Sequence, residues 1–332
     1  TPKPSSAASD VYKRQYQRKA IGSGPFTVAD FQPGHSLKLA RSDTYHGTKA
    51  ASNIVEFMQY SDADALSKAL TDGSLDMAAP VSASTATGLN GKDGLTVKEG
   101  ATTDKVLLAY NNGIDSLLSD EQARKAFRYQ IDAAGIASAQ PDAAGALGGP
   151  ISPLEPGYED LTGLYPHDEN QAGQMFSYFG AQYLTTVNLV VPEEYRSLAE
   201  TIKQQIERQP RPTVNLEVLS DEDYAKRIKD GKWELTVMSM DGTDDAGIFA
   251  DPDSMFHYDH TEAQQAYADA RAATNDADYE ARMKAYARLI SEDAASDWLY
   301  TRKCFTVAST KVSGYPTSMI NRRMPLAGLT VK

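Results

Sequence analysis

The chain has 332 residues, with 33 Lys and Arg against 45 Asp and Glu, a formal net charge of −12 and a sequence pI of about 4.9. This length fits about two domains of roughly 100–200 residues each. An acidic surface repels nucleic acid, and no Lys/Arg cluster suited to phosphates occurs, so no nucleic-acid partner is expected. The single cysteine, Cys304, excludes an intrachain disulfide and is predicted to be buried as a small apolar side chain. No apolar run reaches the ~18 residues of a transmembrane helix.

The first residues lack the pattern of a folded segment. Residues 1–15 are polar and show neither strand alternation, nor a helical period, nor a signal peptide. The stretch 6–15 resembles translated adaptor sequence. We therefore expect residues 1–18 to be non-native or disordered, and we expect the first part of the natural protein, including any export signal or lipid anchor, to lie upstream.

The next part of the chain is rich in predicted strands. Segments 26–31 and 36–41 alternate on either side of a Pro-Gly turn, which predicts a hairpin. A helix is predicted between Asp62, which caps it, and Gly73, which ends it. Further strands are predicted at 53–60, 75–78, 96–99 and 105–110. The mixture of strands and helix indicates an α/β fold.

The second half alternates helices and strands. Ser119 is predicted to cap a helix that ends at Gly135, and Thr261 to cap another. Helices are predicted at 119–135, 169–180, 193–209, 221–229, 261–274 and 278–294, and strands at 185–191, 213–219, 233–240 and 298–308. A strand, helix, strand, helix, strand order predicts a parallel sheet.

Several motifs resemble, in order, one known family. Gly22-Ser23-Gly24-Pro25-Phe26, Phe31-x-Pro33-Gly34 and Arg41-Ser42-Asp43-x-Tyr45-x-Gly47 are similar to the signature of family 5 solute-binding proteins. These proteins are the peptide, dipeptide and nickel receptors of ABC importers. The resemblance continues at 65–76, 109–111, 124–132, 221–233 and 314–315. It therefore covers roughly residues 21–332.

The resemblance implies a two-lobed α/β fold of the periplasmic-binding-protein type II class, with hinge crossings and an incomplete lobe I. Lobe I would comprise 19–111 and 303–332, and lobe II 112–302. The function implied is the extracytoplasmic binding component of an ABC importer, periplasmic or lipid-anchored at the cell surface. It would bind di- or oligopeptides between the lobes and deliver them to a membrane permease. A monomer without cofactor or catalytic activity is expected.

An acidic loop is the first predicted ligand site. In peptide-binding members, a carboxylate of this loop takes the ligand's α-ammonium, because a desolvated cation needs a paired anion. Met240 stands where the family commonly has Trp, and the acidic position falls on Thr243. We predict Asp244, then Asp241, as the anchor, with Met240 in the same site. Asp251-Pro252-Asp253 follows after an insertion, and a solvated acidic loop is the alternative.

Tyr110, Asn111 and Asn112 form the second predicted group. They lie at the predicted crossing into lobe II, where the resemblance implies contact with ligand. An Asn side chain offers both a donor and an acceptor to a peptide backbone. The alternative is that the asparagines only cap the hinge.

The sequence favours neither a metal site nor a catalytic site. The carboxylates at 241–251 lack EF-hand spacing, and His257-x-x-His260 lies on a predicted loop without a third histidine, so no metal site is predicted. No segment combines a nucleophile, a base and an orienting group. A nickel chelate or another small solute stays open as the ligand, and a hydrolase using the acids of 241–253 is the rival from another class.

Overall fold

The computed structural model describes residues 22–178, 186–321 and 323–332. The predicted non-native segment 1–18 lies outside them, as do the end of the helix predicted at 169–180 and the start of the strand predicted at 185–191. Among the described helices, none combines the length and the apolarity that crossing a membrane requires.

The chain forms two compact units. The first unit contains the described part of Thr1–Glu99 together with Cys304–Thr317 and Arg323–Lys332. The second unit contains Gly100–Lys303 and Ser318–Arg322. Two long strands, β5 (Leu95–Tyr110) and β10 (Ser296–Ser309), begin in one unit and end in the other. The lobe boundaries drawn from the sequence stay predictions.

The first unit opens with a three-stranded antiparallel sheet. Its strands are β1 (Phe26–Gln32), β2 (Ser36–Arg41) and β3 (Ile54–Met58), in that order. Gly34 in the β1–β2 turn has φ 77°, which glycine adopts at no steric cost. Strand β1 pairs antiparallel with β2 from Phe26 opposite Arg41 to Gln32 opposite Ser36, which confirms the predicted hairpin.

The rest of the first unit packs around a small core. Helix α1 (Ala63–Asp72) begins at Asp62, whose carboxylate accepts from the Ala65 amide at 2.8 Å, and ends at Gly73 with φ 79°, as predicted. Strand β4 (Met77–Val81) pairs antiparallel with the end of β10. The remaining elements are α2 (Ala83–Leu89), which the sequence did not predict, β11 (Val312–Ser313) and β12 (Thr330–Val331).

The second unit is built on one sheet. Its strand order is β10, β5, β9 (Leu235–Met240), β7 (Thr186–Pro192) and β8 (Thr213–Leu219), with β6 (Ala143–Ala146) on the other side of β10. Strand β7 pairs parallel with β8 and β9, which confirms the predicted parallel sheet. Strand β5 pairs antiparallel with β9, from Lys105 opposite Met240 to Tyr110 opposite Leu235.

Helices cover both faces of this sheet. Alternate side chains of a strand point to opposite faces. Accordingly, Val106 and Leu108 of β5 belong to one buried cluster, and Leu107 and Ala109 to another. The helices are α3 (Glu121–Gln130), α4 (Ala133–Ala139), α5 (Glu169–Tyr178), α6 (Arg196–Ile206), α7 (Asp221–Lys229), α8 (Thr261–Arg271) and α9 (Asp276–Glu292).

The helix predicted from Ser119 to Gly135 is wrong at both ends. Asp120 caps α3, because its carboxylate accepts from the amides of Gln122 at 2.8 Å and Ala123 at 3.3 Å. The helix ends at Gln130, and Asp132 then caps α4, which contains Gly135. Two short acidic side chains therefore start two helices where the apolar spacing suggested one.

Two further predictions are corrected. The strands predicted at 96–99 and 105–110 are one strand, β5. The predicted cap Thr261 is the first helical residue of α8, and His260 caps it, since its Nδ1 accepts from the Ala263 amide at 3.2 Å. Cys304 is buried with 1% exposure, as predicted.

Arg128 of α3 ties this helix to the core of the second unit. It is 5% exposed, and it donates to the Ser291 and Gly148 carbonyls, at 3.2 Å each. Its Nε lies 3.3 Å from Asp297 Oδ1. Burial raises the pKa of Asp297 to about 7, an effect that the positive charge of Arg128 opposes. The pair is thus a buried charge pair whose partners depend on each other.

Replacing Arg128→Met should lower the free energy of unfolding by about 3–5 kcal/mol, because it leaves Asp297 buried without its partner. Urea titration followed by circular dichroism measures this. The matched control is Lys125→Met on the same helix, whose ammonium pairs with Glu121 near the surface. The control should cost less than about 1 kcal/mol. Equal losses for the two variants would contradict the assignment.

Candidate ligand-binding site

The acidic loop, residues 241–245, follows β9 and leads into a short 3₁₀ helix, Asp245–Ala250. Met240 ends the strand, is 8% exposed and belongs to the apolar cluster beneath α8 and α9. Met240 therefore anchors the start of the loop in the core of the second unit.

A buried lysine holds the loop from below. Lys105 of β5 is 1% exposed, and its Nζ lies 2.7 Å from Glu155 Oε2 and 2.8 Å from Asp245 Oδ1. The same ammonium donates to the Gly242 carbonyl at 3.3 Å. A buried charge needs such partners, because moving a charge out of water without a counter-ion and hydrogen bonds is very unfavourable.

Asp245 closes the loop on itself. Its Oδ2 accepts from the Gly242 amide at 3.1 Å, while its other oxygen faces Lys105. Burial raises the pKa of Asp245 to about 6, and the positive charge of Lys105 limits that rise. The carboxylate is therefore ionised at neutral pH and takes up a proton in mildly acidic solution.

Asp244, the favoured anchor in the sequence analysis, is held in a fixed orientation. Its φ is 68°, in the left-handed region that Asp tolerates better than most residues. Its Oδ1 accepts from the Tyr267 hydroxyl at 3.1 Å and from Tyr279 at 3.5 Å, and its Oδ2 accepts from Arg271 at 3.0 Å. Its side chain is 37% exposed. Burial and the charge of Asp244 raise the pKa of Tyr267 to about 12, so that hydroxyl stays a donor.

The middle of the loop is fixed by a third set of contacts. The Thr243 amide donates to Asn321 Oδ1, and the Asn321 side-chain amide donates to Thr243 Oγ1 at 2.9 Å. Asn321 is itself held by Thr103 Oγ1, which accepts from its amide at 3.0 Å. The Thr103 hydroxyl also donates to the Asp241 carbonyl at 3.3 Å. Each residue of the loop is thus tied to the second unit.

Sequence reasoning missed the residues that hold the loop, namely Lys105, Glu155, Tyr267, Arg271, Tyr279 and Asn321. One signal was available: a lysine opens the otherwise apolar segment Lys105–Tyr110, where a charged side chain requires a partner. The identity of that partner was not readable, because Glu155 and Asp245 lie far along the chain from Lys105.

Tyr110, Asn111 and Asn112 lie at the opposite end of the β5–β9 ladder from Met240. Five residues of strand separate the two ends, or about 17 Å. The structure therefore does not bring the two predicted groups together within the second unit.

The three side chains of this second group face the protein interior. Tyr110 is fully buried. Asn111 donates to the Trp233 carbonyl at 2.9 Å and accepts from the Gly113 amide at 3.1 Å. Asn112 donates to the Phe256 carbonyl at 3.0 Å. Both asparagines thus cap backbone groups, and their contact with a ligand stays a prediction.

The described residues contain no group of three or more His, Cys, Asp or Glu side chains placed to hold a metal ion. His260 uses Nδ1 to cap α8, and two acids of the loop are paired with cations, Asp245 with Lys105 and Asp244 with Arg271. These two carboxylates are therefore held in fixed positions.

The chain matches one protein family over most of its length. Residues 1–267 match the model of the bacterial extracellular solute-binding proteins, family 5 Middle. The chain belongs to this family. No curated protein matches it. The recognition made from the motifs of the sequence is thereby confirmed.

Solved structures agree with this assignment at low sequence identity. The ABC transporter substrate binding protein CtaP from Listeria monocytogenes has a TM-score of 0.83 at 15% identity, over 96% of this chain and 68% of that one. AppA from Bacillus subtilis, in complex with a nonapeptide, has a TM-score of 0.73 at 18% identity, over 98% and 69%. NikA from Brucella suis, in complex with Fe(III)-EDTA, has a TM-score of 0.77 at 16% identity, over 94% and 68%. The predicted α/β fold of the periplasmic-binding-protein class is confirmed.

The raised pKa of Asp245 predicts a pH-dependent stability difference. A carboxyl group with a raised pKa in the folded protein favours folding below its unfolded pKa, and this contribution is lost as the pH rises through the folded value. Relative to Asp245→Asn, the wild type should therefore lose roughly 1–3 kcal/mol of unfolding free energy between about pH 4 and pH 7.

Urea titrations at several pH values test this, with Asp230→Asn as control, since Asp230 pairs with Lys226 on the exposed helix α7. The control should keep the pH slope of the wild type. Parallel pH profiles for the wild type and Asp245→Asn would contradict the burial of an ionising Asp245.

Proposed function

We propose that this protein is the substrate-binding component of an ABC importer and that its ligands are di- or oligopeptides. It would act outside the cytoplasm, in the periplasm or lipid-anchored at the cell surface, as a monomer that delivers peptide to a membrane permease. It would bind without catalysing a reaction. The observation that carries this proposal is the fixed acidic loop after β9.

Charge is the first reason that the loop suits a peptide. The loop carries three carboxylates, Asp241, Asp244 and Asp245, and the chain as a whole has a formal net charge of −12. An acidic protein surface favours a cationic ligand group. A peptide carries an ammonium at its N-terminus, and a charge-assisted hydrogen bond to a carboxylate is about twice as strong as a neutral one.

Preorganisation is the second reason. Asp244 is held by Tyr267 and Arg271 before any ligand arrives, so little side-chain entropy is lost on binding. We propose Asp244 as the first anchor and Asp241 as the second, with Met240 packing beneath them. Tyr110, Asn111 and Asn112 would support the site through backbone hydrogen bonds.

The solved structures of relatives support a peptide as the ligand, and one of them supports an alternative ligand. AppA from Bacillus subtilis was solved with a nonapeptide, and NikA from Brucella suis with Fe(III)-EDTA. A metal chelate or another small solute is therefore the second candidate ligand. The peptide stands first because the formal net charge of −12 disfavours an anionic chelate.

Isothermal titration calorimetry with mixed di- to pentapeptides tests the proposal. Wild type should release or absorb heat with peptides, and Asp244→Asn should weaken the affinity by about 10- to 100-fold, since hydrogen bonds to charged groups contribute about 1.5–3 kcal/mol. Asp241→Asn should cause a smaller loss.

The control for this titration is Asp230→Asn, which removes an exposed carboxylate that precedes β9, whereas the loop follows the other end of that strand, and it should leave the affinity unchanged. N-acetylated peptides, which lack the ammonium, should bind equally to wild type and Asp244→Asn. Heat with a metal chelate and none with any peptide would replace the peptide by the second candidate.

A further inference from the structure

Lys105 carries a charge on an apolar, buried face of β5. Lys105, Leu107 and Ala109 alternate on one face of β5, and the last two belong to the apolar cluster beneath α8 and α9. Lys105 itself is among the largest fully buried side chains. Replacing a buried ion pair by apolar side chains is often neutral or stabilising. Stability alone therefore does not account for an ammonium at this position.

The contacts of this ammonium converge on the acidic loop. A lysine ammonium has three donors, and here three oxygens surround it. Two of them, the Gly242 carbonyl and Asp245 Oδ1, belong to the loop. The third, Glu155 Oε2, lies at 2.7 Å and also accepts from the Ser152 amide at 2.9 Å. The ammonium thus joins two residues of the loop to a turn of the second unit.

We propose that Lys105 is a positioning residue of the ligand site, which fixes the backbone of residues 241–245 so that Asp241 and Asp244 present their carboxylates to a peptide ammonium. This inference rests on the proposed function. Asp245 and Glu155 share the same role, because each compensates the buried charge that draws the loop inward. In this proposal, none of the three residues contacts the ligand.

Positioning accounts for the use of a charge rather than an apolar side chain. An apolar residue at 105 would fill the space beneath the loop but would not bind the Gly242 carbonyl or Asp245. The loop would then keep its contacts through Thr243 and Asp244 and lose those at Gly242. The strength of a charge-assisted hydrogen bond depends on its distance and angle, so a displaced carboxylate would lose part of its contact with the ligand ammonium.

The test compares Lys105→Met with the matched control Lys226→Met, whose ammonium lies on the surface of α7 and pairs with Asp230. Amide hydrogen exchange followed by NMR measures local opening of the loop and needs no ligand. In Lys105→Met, exchange of the Gly242 amide, which donates to Asp245 Oδ2, should accelerate by about tenfold or more, because the loop opens locally. The control should leave the exchange of this amide unchanged.

Isothermal titration calorimetry with peptides measures the effect of the substitution on affinity. Lys105→Met should weaken peptide affinity by about tenfold or more, the change expected when a hydrogen bond to a charged group is lost. In an Asp244→Asn background the same substitution should have a much smaller effect, because contacts that act through one another are not additive. Asp245→Asn leaves the Lys105–Glu155 pair in place. It should also weaken peptide affinity, again with a much smaller effect in the Asp244→Asn background, and it replaces Lys105→Met in the test if that variant does not fold.

The possible outcomes separate this inference from the proposed function. Wild type that binds no peptide overturns the proposed function, and the exchange data then still show whether Lys105 fixes the loop. Wild type that binds peptide, with unchanged exchange and affinity in both variants, overturns the role of Lys105 alone. An affinity loss of equal size with and without Asp244 would also overturn it, because that loss would not act through the anchor.

Discussion

One buried ammonium organises the candidate site. Lys105 lies opposite Met240 in the β5–β9 ladder, so it meets the chain at the point where β9 ends and the acidic loop begins. Its charge is buried and therefore requires anionic partners. The loop supplies one of them, Asp245, and is drawn into a fixed conformation as a result. The more exposed acids, including Asp244, are then presented from a rigid base.

The sheet of the second unit places this interaction. Strand β5 packs apolar side chains on both faces, which makes it a central strand with helices on either side. Because β9 lies between β5 and β7, it joins the antiparallel and parallel parts of the sheet. The loop that follows is held by β5 through Lys105 and by α8 through Tyr267 and Arg271.

Local signals made much of the fold predictable. Asp62 and Gly73 bounded a helix, and the Pro-Gly turn gave the first hairpin, because capping and turn residues act within a few positions. The errors have equally local causes, as where Asp120 rather than Ser119 starts α3. The acidic loop was found through the resemblance. The contacts of Lys105 and Asn321 that hold the loop could not be predicted in this way, since they join distant parts of the chain.

The central claim is that the acidic loop receives the ammonium of a peptide. A crystal structure of the protein with a bound short peptide tests it most directly. The account predicts the peptide's terminal nitrogen within about 3 Å of a carboxylate oxygen of Asp244 or Asp241. It also predicts that the loop keeps its contacts with Lys105. A peptide whose ammonium is paired elsewhere, with the acids of the loop facing only solvent and Arg271, would contradict the account.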